Sequence, residues 1–218
     1  MKRTVINKLV ALVLILSQLM AIPAIALTTE EMSLTSEQKE VVYEQIEEIN
    51  NKYEIGEPFS KEDQAFIEKY VPLLNKPSKQ SSDIGLMYDD GDTADFYNYK
   101  TSSDGLVTAV IAGICINEVN TMTMKHGYGA DYTTSVQVDG REYLNSITSE
   151  VTCTAYGLVG SDGQIGKVYD DELTSSTSTY VLDFDEYENY TAVVVYAVVN
   201  VKSTIRYDYG SFSVNATF

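Results

Sequence analysis

The sequence predicts a mainly β protein, an antiparallel β-sandwich preceded by an N-terminal α-helical hairpin. Three observations predict this fold. Short alternating apolar segments separated by turn residues fill the second half of the chain. The tract YTAVVVYAVVNVKSTIRYDYG at 190–210 is rich in β-branched residues, and its apolar run is too short to span a membrane as a helix. Before residue 77, apolar residues instead recur every three or four positions, as on one face of a helix.

The N-terminal segment 1–26 is expected to be a secretory signal peptide. A basic start precedes an apolar run from Leu9 to Leu16, and Ala24-Ile25-Ala26 supplies a small-x-small cleavage pattern. A membrane anchor is the alternative, but the run is shorter than the roughly 20 residues that a spanning helix needs. We therefore expect a secreted, extracellular protein with no membrane span after cleavage. The compact basic signal fits a Gram-positive bacterium.

Residues 27–76 are predicted to form the helical hairpin. Thr35 or Ser36 would cap the first helix, with Gln38 completing a capping box, and Ser60 would cap the second, with Asp63 three residues later. Pro72 is expected to end the second helix or begin its exit. The apolar stripes of the two helices comprise Val42, Ile46, Ile49 and Tyr53, and then Phe66, Ile67, Tyr70 and Val71.

Short helices are marginally stable alone, so the hairpin is expected to dock as a cap on the domain that follows. Removal of the hairpin as a prosegment, by cleavage near Lys76 to Ser82, is the alternative. Residues 77–105 are interpreted as a linker and loop region, and residues 106–218 as the β-sandwich domain.

Several strands and turns are predicted within the sandwich domain. LVTAVIAGICI, Leu106 to Ile116, reads as a strand covered on both faces, with a short buried helix as the alternative. Asp139-Gly140 is a strong hairpin turn signal that would place Val136 opposite Tyr143. A second hairpin is expected after it, with one face formed by Val151, Cys153, Ala155 and Gly157.

The valine-rich tract is predicted to be a central strand. One face would carry Val193, Val195, Ala197, Val199 and Val201. The other would begin with Val194, Tyr196 and Val198 and turn polar at Asn200 and Lys202. We therefore expect a partner sheet on the first face, and the helical hairpin over the apolar half of the second.

The segment YVLDFDEYENYTAVVVYAV at 180–198 resembles the corner between late strands of immunoglobulin-like domains. The resemblance implies that Tyr187 or Tyr190 fixes a loop through its side chain, and that the sandwich is immunoglobulin-like in general architecture. The cysteine pattern and core tryptophan of that family are not matched, because the tract Ala192–Val201 has no cysteine and the chain has no tryptophan. The resemblance therefore bears on architecture alone.

Charge and cysteine content narrow the possible partners. With a formal net charge of −17 and no basic cluster, the chain is a poor match for nucleic acid and for anionic lipid, which leaves cations, basic proteins and neutral glycans. The two cysteines, Cys115 and Cys153, are expected to form a disulfide outside the cell. Two buried free thiols are the alternative.

The sequence lacks the residues that most catalytic mechanisms need. His126 is the sole histidine, so neither a hydrolytic triad nor a tetrahedral zinc site is expected, and no phosphate loop or dinucleotide motif appears. We expect no organic cofactor and favour a non-catalytic protein. Carboxylate-based hydrolysis needs only two acidic residues, and Glu118, Glu142 and Glu150 occupy strand-like settings, but nothing in the sequence pairs two of them.

The segment YDDGDTADFY offers a candidate Ca²⁺ site. Asp89, Asp90, Asp92 and Asp95 surround Gly91 and supply the hard oxygen ligands that calcium prefers. The spacing differs from that of a helix–loop–helix calcium loop, and a solvated acidic loop is the alternative.

Tyrosine is the unusual residue of the composition, with 17 tyrosines and no tryptophan. The candidate ligand-binding residues are Tyr88, Phe96, Tyr97 and Tyr99, because exposed tyrosines provide a large contact area at low entropic cost. Tyrosines that fill half-buried strand positions are the alternative.

The leading hypothesis is a secreted, non-catalytic extracellular binding protein that recognises a protein or a surface glycan. The alternative is a secreted membrane-active or pore-forming β protein, suggested by the Ser/Thr-rich alternation of LTSSTSTYVL. A carboxylate-based hydrolase is the third hypothesis.

Overall fold

The computed structural model describes residues 34–74, 93–139 and 143–216. The predicted signal peptide and the predicted cleavage region near 76–82 lie outside these ranges. Within them, two helices precede eight strands. The helices are α1 (Ser36–Asn50) and α2 (Lys61–Leu74). The strands are β1 (Thr93–Thr101), β2 (Val107–Glu118), β3 (Lys125–Val138), β4 (Leu144–Val159), β5 (Gln164–Thr177), β6 (Val181–Thr191), β7 (Val194–Tyr207) and β8 (Gly210–Asn215).

The strands form two antiparallel sheets of four strands each. Sheet 1 has the order β1-β2-β3-β6, and sheet 2 has the order β5-β4-β7-β8. The sheets face each other, with β2 in contact with β7, β3 with β4, and β6 with β5. The prediction of a mainly β fold with two antiparallel sheets after two helices is confirmed.

The space between the sheets holds the main core, which contains a small polar centre. Tyr132 and Phe184 pack ring against ring with centroids 5.1 Å apart, among buried valines, isoleucines and alanines. The hydroxyl of Ser203 lies 2.7 Å from that of Thr134 and 3.1 Å from that of Ser149. All three residues are fully buried. Because each hydroxyl has a partner, the polar centre joins the two sheets without an unsatisfied group.

The helix caps form as predicted. The Thr35 hydroxyl accepts from the Gln38 amide at 3.3 Å, and the Gln38 side chain accepts from the Thr35 amide at 2.9 Å, which completes the capping box. Ser60 accepts from the Asp63 amide at 3.1 Å. Pro72 does not itself end α2, which continues to Leu74, but it lies in the last turn, as expected of a residue that begins the exit from the helix. Proline in the last turn removes one hydrogen bond near an end that frays in any case.

The helical hairpin covers part of the outward face of sheet 2. The apolar residues of α1 and α2 form a second core with Tyr156 of β4, Ile165 of β5 and Val198 of β7. The loop between the helices also bonds to β5, where the Phe59 amide donates to the Ile165 carbonyl at 2.9 Å. Gly166 permits this approach, since a Cβ there would lie 2.3 Å from the carbonyl oxygen of Glu57.

The valine-rich tract is confirmed as a strand that lies inside its sheet. β7 runs between β4 and β8, with Ala197, Val199 and Val201 in the inter-sheet core and Val198 beneath the helices. The prediction for Val193 and Val195 is wrong, because they are 52% and 42% exposed. Tyr156 pairs with Tyr196 and Gly157 with Val194, so Val195 has no partner in β4. This bulge reverses the alternation at the start of the strand.

Other strand predictions divide into confirmed and wrong ones. LVTAVIAGICI forms β2 from Val107 onward, but the strand is fully buried on one face only, since the alternate residues are half-buried. The second predicted hairpin is the β4–β5 hairpin, with Val151, Cys153 and Ala155 buried. The hairpin predicted at Asp139-Gly140 is wrong, because β3 lies in sheet 1 and β4 in sheet 2. The chain crosses between sheets at this point. β1 lies within the segment interpreted as a linker.

The predicted disulfide is also wrong. Cys115 of β2 and Cys153 of β4 are both buried free thiols. They belong to facing sheets, and β2 faces β7 whereas β4 faces β3, so the two strands are diagonal across the core.

Candidate functional site

A groove of about 760 Å³ lies between α1 and the part of sheet 2 that the helices leave uncovered. The volume is in the range of small-ligand sites. β4, β5 and β7 form its floor, α1 forms one wall, and β1 and β8 form the opposite rim. We call it the helix–sheet groove.

The floor consists of polar side chains in register across sheet 2. Glu150 pairs with Lys202, Thr152 with Asn200, and Thr154 with Val198. Alternate strand residues face one side of a sheet, so these three rows share one face. Apolar Val198 marks where the helical core ends, and Asn200 and Lys202 mark where the groove begins.

Asn50, the last residue of α1, fixes the helix wall to the floor. Its side-chain amide donates to the Thr154 hydroxyl at 3.3 Å, and its side-chain oxygen accepts from the Tyr156 hydroxyl at 3.0 Å. Because Tyr156 is fully buried, its hydroxyl needs this partner. The same two strand residues therefore set the position of the helix end.

Lys167 of β5 completes this anchor. Its ammonium donates to the Asn50 main-chain carbonyl at 3.1 Å and to the Asp170 carboxylate at 2.7 Å. The last carbonyls of a helix lack partners within the helix and carry partial negative charge, so a cation is stabilising there. Asp170 also accepts from the Thr154 hydroxyl at 3.0 Å, which closes the network.

The groove is lined by charged side chains as well, including four glutamates of α1, Glu37, Glu40, Glu44 and Glu47. Lys202 donates to Glu150 at 2.6 Å on the floor, with both side chains partly buried. On α1, Lys39 is only 4% exposed, and burial lowers its pKa. Burial likewise raises the pKa of Tyr43. The tyrosine hydroxyl therefore stays protonated and can donate a hydrogen bond.

The rim opposite the helix joins the two sheets. The Asn98 side chain of β1 donates to the Asn215 carbonyl of β8 at 2.7 Å, and its oxygen accepts from the Tyr99 amide at 2.8 Å. Tyr99 is 64% exposed and lines the groove. An exposed aromatic ring at a polar rim is a platform on which the apolar face of a sugar ring can stack.

The lining is rich in amides and hydroxyls. Its amide side chains are Asn50, Asn51, Asn98, Asn200 and Asn215, and its hydroxyls are Tyr43, Tyr99, Thr152, Thr154 and Ser213. Amides and hydroxyls both donate and accept, as the hydroxyls of a sugar do. The arrangement suits a neutral, polyhydroxylated ligand.

The structure separates the residues predicted to bind a ligand. Tyr99 lines the groove, and Tyr97 is exposed on the same strand but does not line it. Phe96 is buried and packs on Tyr132 with ring centroids 5.5 Å apart, so it is a core residue. Tyr88 lies outside the described residues.

The residues of the candidate calcium site are only partly described. Asp95 is exposed on β1, and Asp89, Asp90 and Asp92 lie outside the described ranges. Among residues 34–74, 93–139 and 143–216, no group of three or more metal-binding side chains is close enough to hold an ion.

The two candidate carboxylates that the structure describes, Glu118 and Glu150, are not brought together. Glu150 lies on sheet 2 in an ion pair, and Glu118 lies on sheet 1, where it accepts from the Tyr187 hydroxyl at 2.9 Å. Glu142 lies outside the described residues. His126 is buried, accepts from the Asn120 amide at 3.1 Å through Nδ1, and lies 2.9 Å from the Ala192 carbonyl through Nε2. These contacts give it a structural role.

The stretch that suggested a membrane hairpin crosses between the sheets. LTSSTSTYVL begins in β5 and ends in β6, which belong to different sheets. In the described part of the chain, no helix is long and apolar enough to cross a membrane.

Sequence reasoning identified Tyr99 but missed most of the groove. The available signal was the change from Val198 to Asn200 and Lys202 along one face of the valine-rich strand, which marks uncovered sheet. The roles of Asn50 and Asn98 had no such signal, because their partners are distant in sequence.

No known family model matches this sequence, and a comparison with curated proteins finds no significant match.

Proposed function

We propose that this chain is a secreted, non-catalytic binding protein whose helix–sheet groove takes a neutral glycan at the cell exterior. The observation that carries the proposal is the lining of the groove. Five asparagines and five hydroxyl-bearing residues surround it, and its floor lysine is already paired with Glu150. A neutral polyhydroxylated ligand matches these amides and hydroxyls, and the six acidic side chains that also line the groove disfavour an anionic ligand.

The strand pairing supports an immunoglobulin-like arrangement as part of this proposal. β2, β3 and β6 pair in the order of strands A, B and E, and β5, β4, β7 and β8 in the order of strands C′, C, F and G. β1 is an additional edge strand. The segment that resembles an immunoglobulin corner joins β6 to β7, which are strands E and F in this scheme. Many cell-surface recognition domains use sandwiches of this kind.

The export part of the proposal depends on the N-terminal sequence. A basic start, an apolar run and Ala24-Ile25-Ala26 favour signal cleavage. The acidic composition suits a soluble extracellular protein.

Calorimetric titration with a panel of neutral oligosaccharides tests the function. We expect binding by at least one glycan, and a loss of about tenfold or more in affinity for Tyr99→Ala and for Asn200→Ala. Tyr97→Ala is the matched control, because Tyr97 is as exposed as Tyr99 on the same strand but does not line the groove. Absence of binding across the panel, or an equal loss in the control, would contradict the proposal. Release of shorter sugars would indicate a hydrolase instead.

A further inference from the structure

A second surface, which shares no residue with the helix–sheet groove, exposes apolar side chains at one end of the sandwich. It comprises Met122 and Met124 of the β2–β3 turn, Leu158 at the end of β4, Val193 just before β7, and Val195 in its first residues. Met122 is 93% exposed. We call this surface the apolar end. None of its residues lines the helix–sheet groove.

Hydrogen bonds and strand pairing bring the segments of the apolar end together. The Nδ1 atom of His126 accepts a hydrogen bond from the amide of Asn120, the residue at the start of the methionine turn. The Nε2 atom of His126 contacts the carbonyl of Ala192, the residue before Val193. Gly157 pairs with Val194, which places Leu158 beside the two exposed valines. The buried histidine thus holds the methionine turn against the β6–β7 connection.

The turn that presents the methionines is well ordered by its own bonds. The Asn120 side chain accepts from the amides of Met122 and Thr123 at 3.2 and 3.0 Å, and the Asn120 carbonyl accepts from the Met124 amide at 3.0 Å. Met124 has φ 54°, a conformation that few residues other than glycine adopt. A preformed turn binds a partner without first losing backbone entropy.

The charges around the apolar end indicate the chemistry of its partner. Exposed or half-buried carboxylates lie in the segments that lead into it: Glu118 ends β2, Asp162 lies in the β4–β5 turn, and Glu57 precedes Pro58, which pairs with β5 opposite the end of β4, while Lys125 begins β3. An apolar centre with a charged rim is the usual anatomy of a protein–protein interface. The carboxylates would repel the anionic headgroups of a membrane. They would also repel one another across a symmetric dimer, in which the same patch faces itself.

We propose that the apolar end docks a second protein whose contact surface has an apolar centre and a lysine- or arginine-rich rim. Such a partner buries the exposed methionines and valines and pairs with the surrounding carboxylates. Methionine suits this surface because its flexible side chain adapts to irregular apolar contacts.

Photo-crosslinking on the cells that export the protein tests this proposal. Met122 is replaced by p-benzoylphenylalanine, and Tyr209, which is exposed at the opposite end of the sandwich, is replaced in a control. We expect a protein adduct from position 122 and none from position 209. Adding Val193→Asp, or Leu158→Asp as a second variant, lowers the yield about tenfold or more. Raising the salt also lowers it, because the rim interactions are screened.

Mass spectrometry of the adduct decides between the possible occupants. A contact surface with lysines or arginines around an apolar patch supports the proposal. A lipid adduct, a covalent dimer of this chain, an acidic contact surface, or no adduct at position 122 would each overturn it. Urea unfolding of both aspartate variants is the control for folding. Glycan titration of the same variants keeps this result distinct from the proposed function, since the groove should bind as before.

Discussion

The carboxylate of Asp63 stabilises the start of α2 through several partners. It accepts from the Tyr53 hydroxyl at 2.7 Å and from the Ser60 hydroxyl at 3.0 Å, and Lys52 lies 3.5 Å away. Burial favours the neutral form, but these partners together outweigh it, and the pKa of Asp63 is lowered from 3.8. The ionised form is therefore more stable in the folded than in the unfolded state.

Replacing this carboxylate is predicted to have an effect that depends on pH. Asp63→Asn should lower the free energy of unfolding by about 1 kcal/mol at neutral pH, the usual cost of a weakened cap. The stabilisation is present above the unfolded pKa of 3.8 and is lost as the pH falls through the lower folded pKa. The difference in the free energy of unfolding between wild type and variant should therefore shrink as the pH falls below 3.8.

Urea unfolding as a function of pH measures this difference. Asp162→Asn, in the exposed β4–β5 turn, is the control and should differ little from wild type at any pH. A difference for Asp63→Asn that stays constant into the acid range would contradict this account of the cap.

The two buried thiols give a second prediction at this scale. Burial raises the pKa of both Cys115 and Cys153 to about 12, so neither forms a thiolate near neutral pH. We expect no reaction of the native protein with a thiol reagent at about pH 8, and reaction of both thiols after denaturation without reductant. A denatured protein without titratable thiols would mean that the disulfide forms after all.

Residue-level features were predictable where their partners lie nearby in sequence. The caps at Thr35 and Ser60 follow from residues three positions later, so the sequence contains the whole motif. Asn98 bonds to Asn215, and Phe96 packs on Tyr132, across elements that only the folded chain brings together. Such long-range contacts leave no local pattern to read.

At the scale of elements, the helical hairpin acts as a cover for half of sheet 2. Ile67 of α2 is fully buried in the second core, whereas Ile55, in the loop between the helices, is 58% exposed. Ile67→Ala should lower the free energy of unfolding by about 2–5 kcal/mol, through lost burial and a residual cavity. Ile55→Ala, the same substitution, should change it by less than about 0.5 kcal/mol.

Chemical unfolding monitored by circular dichroism tests the importance of the cover. Equal effects of the two isoleucine substitutions would show that the hairpin does not pack on sheet 2 as described. A selective loss for Ile67→Ala would support the packing of the helices on sheet 2 in the second core.

Element types were easier to predict than their pairing. Periodicity identified both helices and the valine-rich strand, because each buries one continuous face. The Asp139-Gly140 signal was misleading, since the same turn residues can connect two sheets as well as two paired strands. The bulge at Val195 was also unpredictable, because it depends on the register with β4.

At the scale of the molecule, the groove exists because the helices cover only part of the outward face of sheet 2. The helices bury the apolar half of the outward face of sheet 2, and the polar half beyond Val198 is left open beside α1. The same Asn50 network that docks the helix also shapes the wall of the groove. Docking of the hairpin and ligand binding are therefore linked in this account.

Hydrogen exchange of the exported protein, with and without the tightest-binding neutral glycan, tests whether the helix–sheet groove is the binding site. We expect slower exchange in the segments that line the groove, around Tyr99 of β1, Asn200 of β7 and Asn215 of β8, and unchanged exchange at Met122 and Val193. Protection confined to other parts of the sandwich, with none in these three segments, would contradict it.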